Sequence, residues 1–210
     1  MIYKTVLKRL FDFIIATIVL LILCPLLALL TVIGLIAVKG NPFFTQERPG
    51  QNEKLFRLIK FRTMTNEKDE NGELLPDKDR LIPYGRFLRK TSLDELPELI
   101  NVWKGDMAIV GPRPLLKRYL PYYSKQERKR HSVRPGITGL AQVSGRNTLE
   151  WDSRLALDVE YVEKITLFLD VKIILLTFIK VIKREDVIDA GSFEMQDLDQ
   201  ERKNIADSKD

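Results

Sequence analysis

The sequence predicts an α+β protein, mostly α. Its N-terminus reads as a re-entrant membrane segment of helix–break–helix form, followed by a small domain with interfacial amphipathic helices. Three observations carry this. An uncharged apolar run fills residues 13–38, with Pro25 near its middle. Lys, Arg, Asp and Glu crowd residues 39–164. A second apolar stretch at 168–185 is studded with lysines. The expected divisions are an anchor at 1–40, a cytoplasmic-face domain at 41–187 and a polar, disordered tail at 188–210.

The anchor comes first. As one straight helix, residues 13–38 would be about 39 Å long, more than the roughly 30 Å hydrocarbon core of a bilayer. A tilted span with a mild proline kink fits. So does a bent segment that enters one leaflet and returns. Pro25 removes a backbone donor at the costliest depth, which favours the bend. The flanks favour it too: Lys4, Lys8 and Arg9 precede the run, and Lys39, Arg48, Lys54, Arg57, Lys60 and Arg62 follow it. The positive-inside rule then asks for both ends in the cytoplasm. The run is too long for a signal peptide, and "NPFF" at 41–44 is no cleavage site.

Past the anchor, "FFTQERPGQNEKLFRLIKFRTM" predicts a turn at Pro49-Gly50 and then an alternating, strand-like stretch. Residues 65–80, with Asn71-Gly72 and Pro76, predict a loop. "TSLDELPELINVWK" predicts an amphipathic helix and "GDMAIVGPRPLL" a short buried strand ending in a proline-stiffened turn. "PYYSKQERKR" reads as a basic helix and "RPGITGLAQVSGRN" as loop and short strand. "WDSRLALDVEYVEKI" is helical in pattern. The stretch at 168–185 fits an interfacial helix lying on a bilayer, or an ordinary core helix.

Composition excludes several classes. The 210 residues include one cysteine, Cys24, inside the apolar run, and one histidine, His131. Disulfide frameworks, cysteine zinc sites and histidine-pair metal sites are therefore ruled out within one chain. No P-loop or GxGxxG pattern occurs. The net charge of +5 suits a membrane surface or a phosphate-rich ligand, and no nucleic-acid partner is expected.

Chemistry concentrates in "RKTSLDELPEL". Asp94 and Glu95 are adjacent carboxylates, with Arg86, Arg89 and Lys90 upstream. Ser92 and Glu95 also match a capping box, so a purely structural role is a full alternative. The cations shift the balance. Lys60 lies in "IKFR"; Arg113 sits between two prolines; Arg134 and Arg146 stand beside glycines. Guanidinium forks suit phosphate. Carboxylates among them could hold Mg²⁺, or one could attack phosphorus.

In this order the motifs "KRLFDF", "CP", "FTQERPG", "KFRTM", "SLDELPEL", "NVWKGDM", "VGPRPLL", "RPGITGLAQVSGRN", "LDVEYV" and "LDVKI" resemble those of the bacterial sugar transferases called monotopic phosphoglycosyl transferases. Within that family the similarity runs to the small enzymes that transfer phospho-bacillosamine in protein N-glycosylation. The resemblance implies an enzyme at the cytoplasmic face of the bacterial inner membrane. It would move a sugar-1-phosphate from a UDP-sugar, an N-acetylated amino sugar, to polyprenyl phosphate and release UMP. Asp94 would be the nucleophile that carries the phosphosugar; Glu95 would help bind Mg²⁺, with Asp94 as the second ligand. Lys60, Arg89, Arg113 and Arg146 would hold phosphate, and Asp158 and Asp170 match further family acids. Cys24-Pro25 would break the membrane helix, with Cys where the family has Ser. Membrane lipids and downstream glycosyltransferases complete the implied partners.

Overall fold

The computed structural model describes residues 3–145, 149–183 and 196–207. A short π-helical turn, Tyr3–Leu7, leads into α1, Lys8–Val38. Strands β1, Phe43–Pro49, and β2, Leu55–Phe61, form an antiparallel hairpin with Phe44 opposite Lys60 and Arg48 opposite Phe56. Helices α2, Asp77–Arg80, α3, Pro83–Thr91, and α4, Glu98–Lys104, follow. Strand β3, Ala108–Val110, pairs in parallel with β4, Gly136–Thr138. Helices α5, Leu140–Ser144, α6, Trp151–Glu163, α7, Leu167–Lys183, and α8, Leu198–Asp207, complete the described chain. The predicted class, α+β and mostly α, holds.

Helix α1 is apolar and long enough to cross a membrane, and it runs without interruption through Cys24-Pro25. The break expected there is not formed. Proline costs one hydrogen bond to the carbonyl four residues back and a steric conflict, roughly 3 kcal/mol, which kinks a helix without ending it when both flanks are strongly helical. Packing supports the flanks. Ala16 joins Leu58, Leu99, Val102 and Met107 in one core cluster. Leu26, Leu27 and Leu30 join Phe61 and Leu88 in another.

The same domain holds both ends of α1. At its start Asp170 of α7 is 4% exposed and pairs with Lys8 at 2.6 Å. Tyr3 Oη donates to Asp170 Oδ2 at 2.6 Å and Tyr161 Oη to Oδ1 at 2.7 Å. Arg9 donates to the carbonyls of Val102 and Trp103, which close α4. Near the other end Tyr84 donates to the carbonyl of Leu30 at 2.8 Å. The opposite side of α1 exposes Leu21, Ile22, Leu29 and Ile36.

Other expectations are revised by packing. β1 gives the hairpin a first strand that the pattern did not mark, since its side chains do not alternate cleanly. The expected basic helix at 121–130 is instead two 3-10 turns, Lys117–Tyr122, which contains Pro121, and Glu127–Ser132, with Tyr123 in extended backbone between them. The loop at 65–80 contains α2 and a turn in which Asp69 accepts from the amides of Asn71 and Glu73. In the tail, Leu198–Asp207 form α8. Leu198 is 0% exposed against Leu115, Tyr119 and Trp151, and Asp197 binds Arg118 and Tyr119. Helix α7 buries Ile173 in the core and exposes Phe168, Leu175, Phe178 and Ile182 on its outer side.

Replacing Asp170 tests the α1 anchorage. Asp170→Ala leaves Lys8 buried without its counter-ion and lowers stability by about 3–5 kcal/mol in denaturant titration. A loss under about 1 kcal/mol would contradict a structural role for this pair.

Candidate active site

The site is assembled from three elements. In "SLDELPEL" the leucines recur every third residue: Leu93 packs on the Leu30–Phe61–Leu88 cluster, and Leu96 and Leu99 on the Leu58–Val102–Met107 cluster. Burying that side directs the acids the other way. Ser92 ends α3 in the left-handed region (φ 55°, ψ 18°) and its side chain caps nothing, so the capping box does not form. The chain then makes a 3-10 turn over Leu93–Glu95, and Pro97 sits just ahead of α4.

Glu95 is the hub. Its Oε1 accepts from Lys60 Nζ of β2 at 2.8 Å and from Arg113 Nη2 at 2.5 Å. Lys60 also lies 3.1 Å from Glu98 Oε1. Asp94, half-buried, makes no hydrogen bond or ion pair with any described residue. Burial and the charge of Glu95 push the Asp94 carboxyl up, while Lys60, Arg113 and Arg89 pull it back. For Glu95, burial works against ionisation, but Arg113 and Lys60 outweigh it and hold its carboxyl below the ordinary value. Glu98 is 2% exposed, and burial plus the Glu95 charge raise it to about 7.

Supporting contacts fix these groups. Asn101 of α4, 0% exposed, donates to the carbonyl of Arg57 and accepts from the amide of Ile59 at 3.1 Å, which locks β2 and hence Lys60 onto α4. Arg113 follows β3, between Pro112 and Pro114. Its carbonyl accepts from Arg130 at 2.7 Å, and Arg130 forks onto Asp158 Oδ2 at 2.7 and 3.0 Å. The β3 loop lies so close to β4 that a Cβ on Gly136 would sit 2.1 Å from the amide nitrogen of Gly111. Arg89 Nε bonds Thr63 Oγ1 at 3.1 Å and its charge acts on Asp94.

The structure therefore brings Asp94, Glu95, Lys60, Arg89 and Arg113 together. Asp158 and Asp170 lie in buried ion pairs: Asp158 Oδ2 with Arg130, which also bonds the Arg113 carbonyl, and Asp170 with Lys8 at the start of α1. Arg146 lies outside the described residues. Sequence reading missed Glu98, Asn101 and Arg130. Only Glu98 carried a signal, as a third acid four residues past Asp94.

For a metal, no cluster of three or more His, Cys, Asp or Glu side chains forms among the described residues. The dyad offers the unpaired Asp94 carboxylate and Glu95 Oε2, which accepts no hydrogen bond from described residues. Two carboxylates completed by substrate phosphates and water are a donor set that Mg²⁺ accepts.

Glu98 gives the site a pH signature. A carboxyl held above its ordinary value of 4.5 stabilises the fold when protonated, and that stability is lost as pH rises toward about 7. Glu98→Gln is thus expected to gain about 1–3 kcal/mol relative to the native chain between pH 5 and pH 8, by denaturant titration at each pH. A difference independent of pH would contradict this.

The family described as bacterial sugar transferase matches residues 3–184. The uncharacterized sugar transferase EpsL of Bacillus subtilis is 50% identical over 184 residues, covering 87% of this chain and 90% of that protein. The undecaprenyl-phosphate galactose phosphotransferase of Salmonella typhimurium is 40% identical, over 86% of this chain and 41% of its own length. The UDP-glucose:undecaprenyl-phosphate glucose-1-phosphate transferase of Xanthomonas campestris is 38% identical, over 86% of this chain and 40% of its own. The chain thus spans about nine tenths of the first relative and two fifths of the other two. The protein belongs to the bacterial sugar transferase family.

Proposed function

We propose that the chain is a phosphoglycosyl transferase that moves a sugar-1-phosphate from a UDP-sugar to polyprenyl phosphate, through a phosphosugar ester on Asp94. The observation that carries this is the asymmetry of the dyad. Glu95 takes both cations, and Asp94 takes none. Asp94 is left in a cationic field with its lone pairs uncommitted, as a nucleophile for an anionic phosphorus must be.

In the first step an Asp94 oxygen attacks the β-phosphorus. The bond to the bridging oxygen breaks, and its electron pair leaves with UMP. In the second, an oxygen of polyprenyl phosphate attacks the same phosphorus, and the Asp94–phosphorus bond breaks to regenerate the carboxylate. Arg113, Lys60 and Arg89 offset the negative charge that gathers in both transition states. Mg²⁺ held by Asp94 and Glu95 would neutralise the donor's diphosphate.

The anchor reading is monotopic, with both ends of α1 at the cytoplasmic face of the inner membrane. It rests on the packing of both ends against one domain: Lys8 on Asp170, and Leu30 on Tyr84. A straight span would carry one of those ends away from the domain. The outer face of α7, with Phe168, Leu175, Phe178 and Ile182, extends the lipid-facing surface. For the sugar, the motif resemblance points to an N-acetylated amino sugar, whereas the relatives' names give galactose and glucose. The product would be a polyprenyl diphosphosugar, which a glycosyltransferase must extend in glycoconjugate assembly.

The test is to mix purified protein, Mg²⁺, polyprenyl phosphate and a panel of UDP-sugars and to identify the released nucleotide. UMP release is expected, reduced about 10³-fold or more in Asp94→Asn and about 10²-fold in Arg113→Ala. UDP release, or full activity in Asp94→Asn, would overturn the reading.

A further inference from the structure

One half-buried cation has no counter-ion in the site so far described. Arg48, at the end of β1, forms no ion pair with any described residue. Its Nη2 donates to the neutral Gln46 Oε1 at 2.7 Å, and its Nε is buried without a partner. Native proteins rarely leave a buried guanidinium donor unmet, because its desolvation is then uncompensated.

Its placement is not random. In the hairpin, Phe44 faces Lys60 and Arg48 faces Phe56. Directly opposed residues share a face, and alternate residues along a strand share that face too, so Arg48 and Lys60 project from the same side. They stand four positions apart along the strand direction, about 13 Å. Lys60 meets the dyad at one end. At the other, Pro49, next to Arg48, lines one cleft with Arg113 and Arg130, and burial together with the charge of Arg113 lowers the Arg48 guanidinium from its ordinary value. Arg113 therefore both bonds the dyad and borders the cleft beside Arg48. Two guanidinium charges that act on each other repel, and an anion shared by both relieves that repulsion. The hydroxyl of Tyr123 is also buried without a partner.

We infer that Arg48, aimed by Gln46, forms with Arg113 a subsite for the α-phosphate of the nucleotide donor, the phosphate that departs with the leaving nucleoside monophosphate. The inference rests on the phosphoglycosyl transfer reading and extends it. With the β-phosphorus at Asp94, the adjoining phosphate falls on the side where Arg113 and Arg48 stand. Arg48 then offsets charge on the leaving group, and the lipid phosphate occupies a different place.

The test uses the full chain in detergent, with uridine and UMP titrated by calorimetry against the native protein, Arg48→Gln and Arg48→Lys. UMP binding is expected to weaken about ten- to a hundredfold in Arg48→Gln and less in Arg48→Lys. Uridine binding and the KM for polyprenyl phosphate should stay as they are. An equal loss for uridine and UMP, or no loss for either, would make Arg48 a structural residue and overturn the subsite. A rise in the KM for polyprenyl phosphate without loss of UMP binding would assign Arg48 to the lipid phosphate and overturn it as well. If the native chain binds neither uridine nor UMP, the nucleotide reading fails and the subsite falls with it. Should Arg48→Gln not fold, Arg48→Lys carries the same comparison with the charge retained.

Discussion

The sharing of one Glu95 oxygen by Lys60 and Arg113 organises the rest of the molecule. It ties three parts of the chain that are distant in sequence: the hairpin, the turn before α4 and the loop after β3. Each is held by its own contacts. Asn101 clamps the strand that carries Lys60, and Asp158 with Arg130 holds the loop that carries Arg113. Because the two cations are spent on Glu95, the neighbouring Asp94 stays in their field without being bonded by either. Buried like charges and a half-buried free carboxylate are costly, and such costs concentrate where chemistry is done.

The helix that reads as a membrane anchor is also part of the domain's core. Ala16 and Leu30 lie in two separate clusters, each shared with the elements that shape the site. The ion pair of Lys8 with Asp170 fixes the start of that helix to α7, and Tyr161 links Asp170 to the carbonyl of Val110 beside the Arg113 loop. In the proposed membrane-bound reading, depth in the bilayer and geometry of the site would be coupled through this packing. An enzyme that joins a soluble donor to a lipid acceptor needs that coupling, since the two phosphates must meet at one height.

What the sequence made legible follows from physics that acts locally. Uncharged length marked α1, and adjacent acids beside arginines marked the dyad. The helical patterns at 151–165 and 168–185 became α6 and α7. What it hid depends on contacts between distant residues. The ion pairs of Asp158 with Arg130 and of Asp170 with Lys8 were hidden because an acid in a motif carries no sign of the partner it will meet. The capping box at Ser92 was locally sound, and tertiary burial of Leu93 and Leu96 prevailed over it. Helix α8 depends on Leu198 entering a cluster with Leu115, Tyr119 and Trp151 and on Asp197 meeting Arg118 and Tyr119, all distant in sequence. Pro25 signalled a break, and a helix packed on both sides of it did not need one.

The most direct measurement of the central claim is intact-mass analysis of the full chain incubated with Mg²⁺ and the preferred UDP-sugar, with no polyprenyl phosphate present. The account predicts a mass gain of one phosphosugar, localised by fragmentation to Asp94 and removed on adding polyprenyl phosphate. An adduct on another residue, or turnover with no adduct under rapid quench, would contradict it.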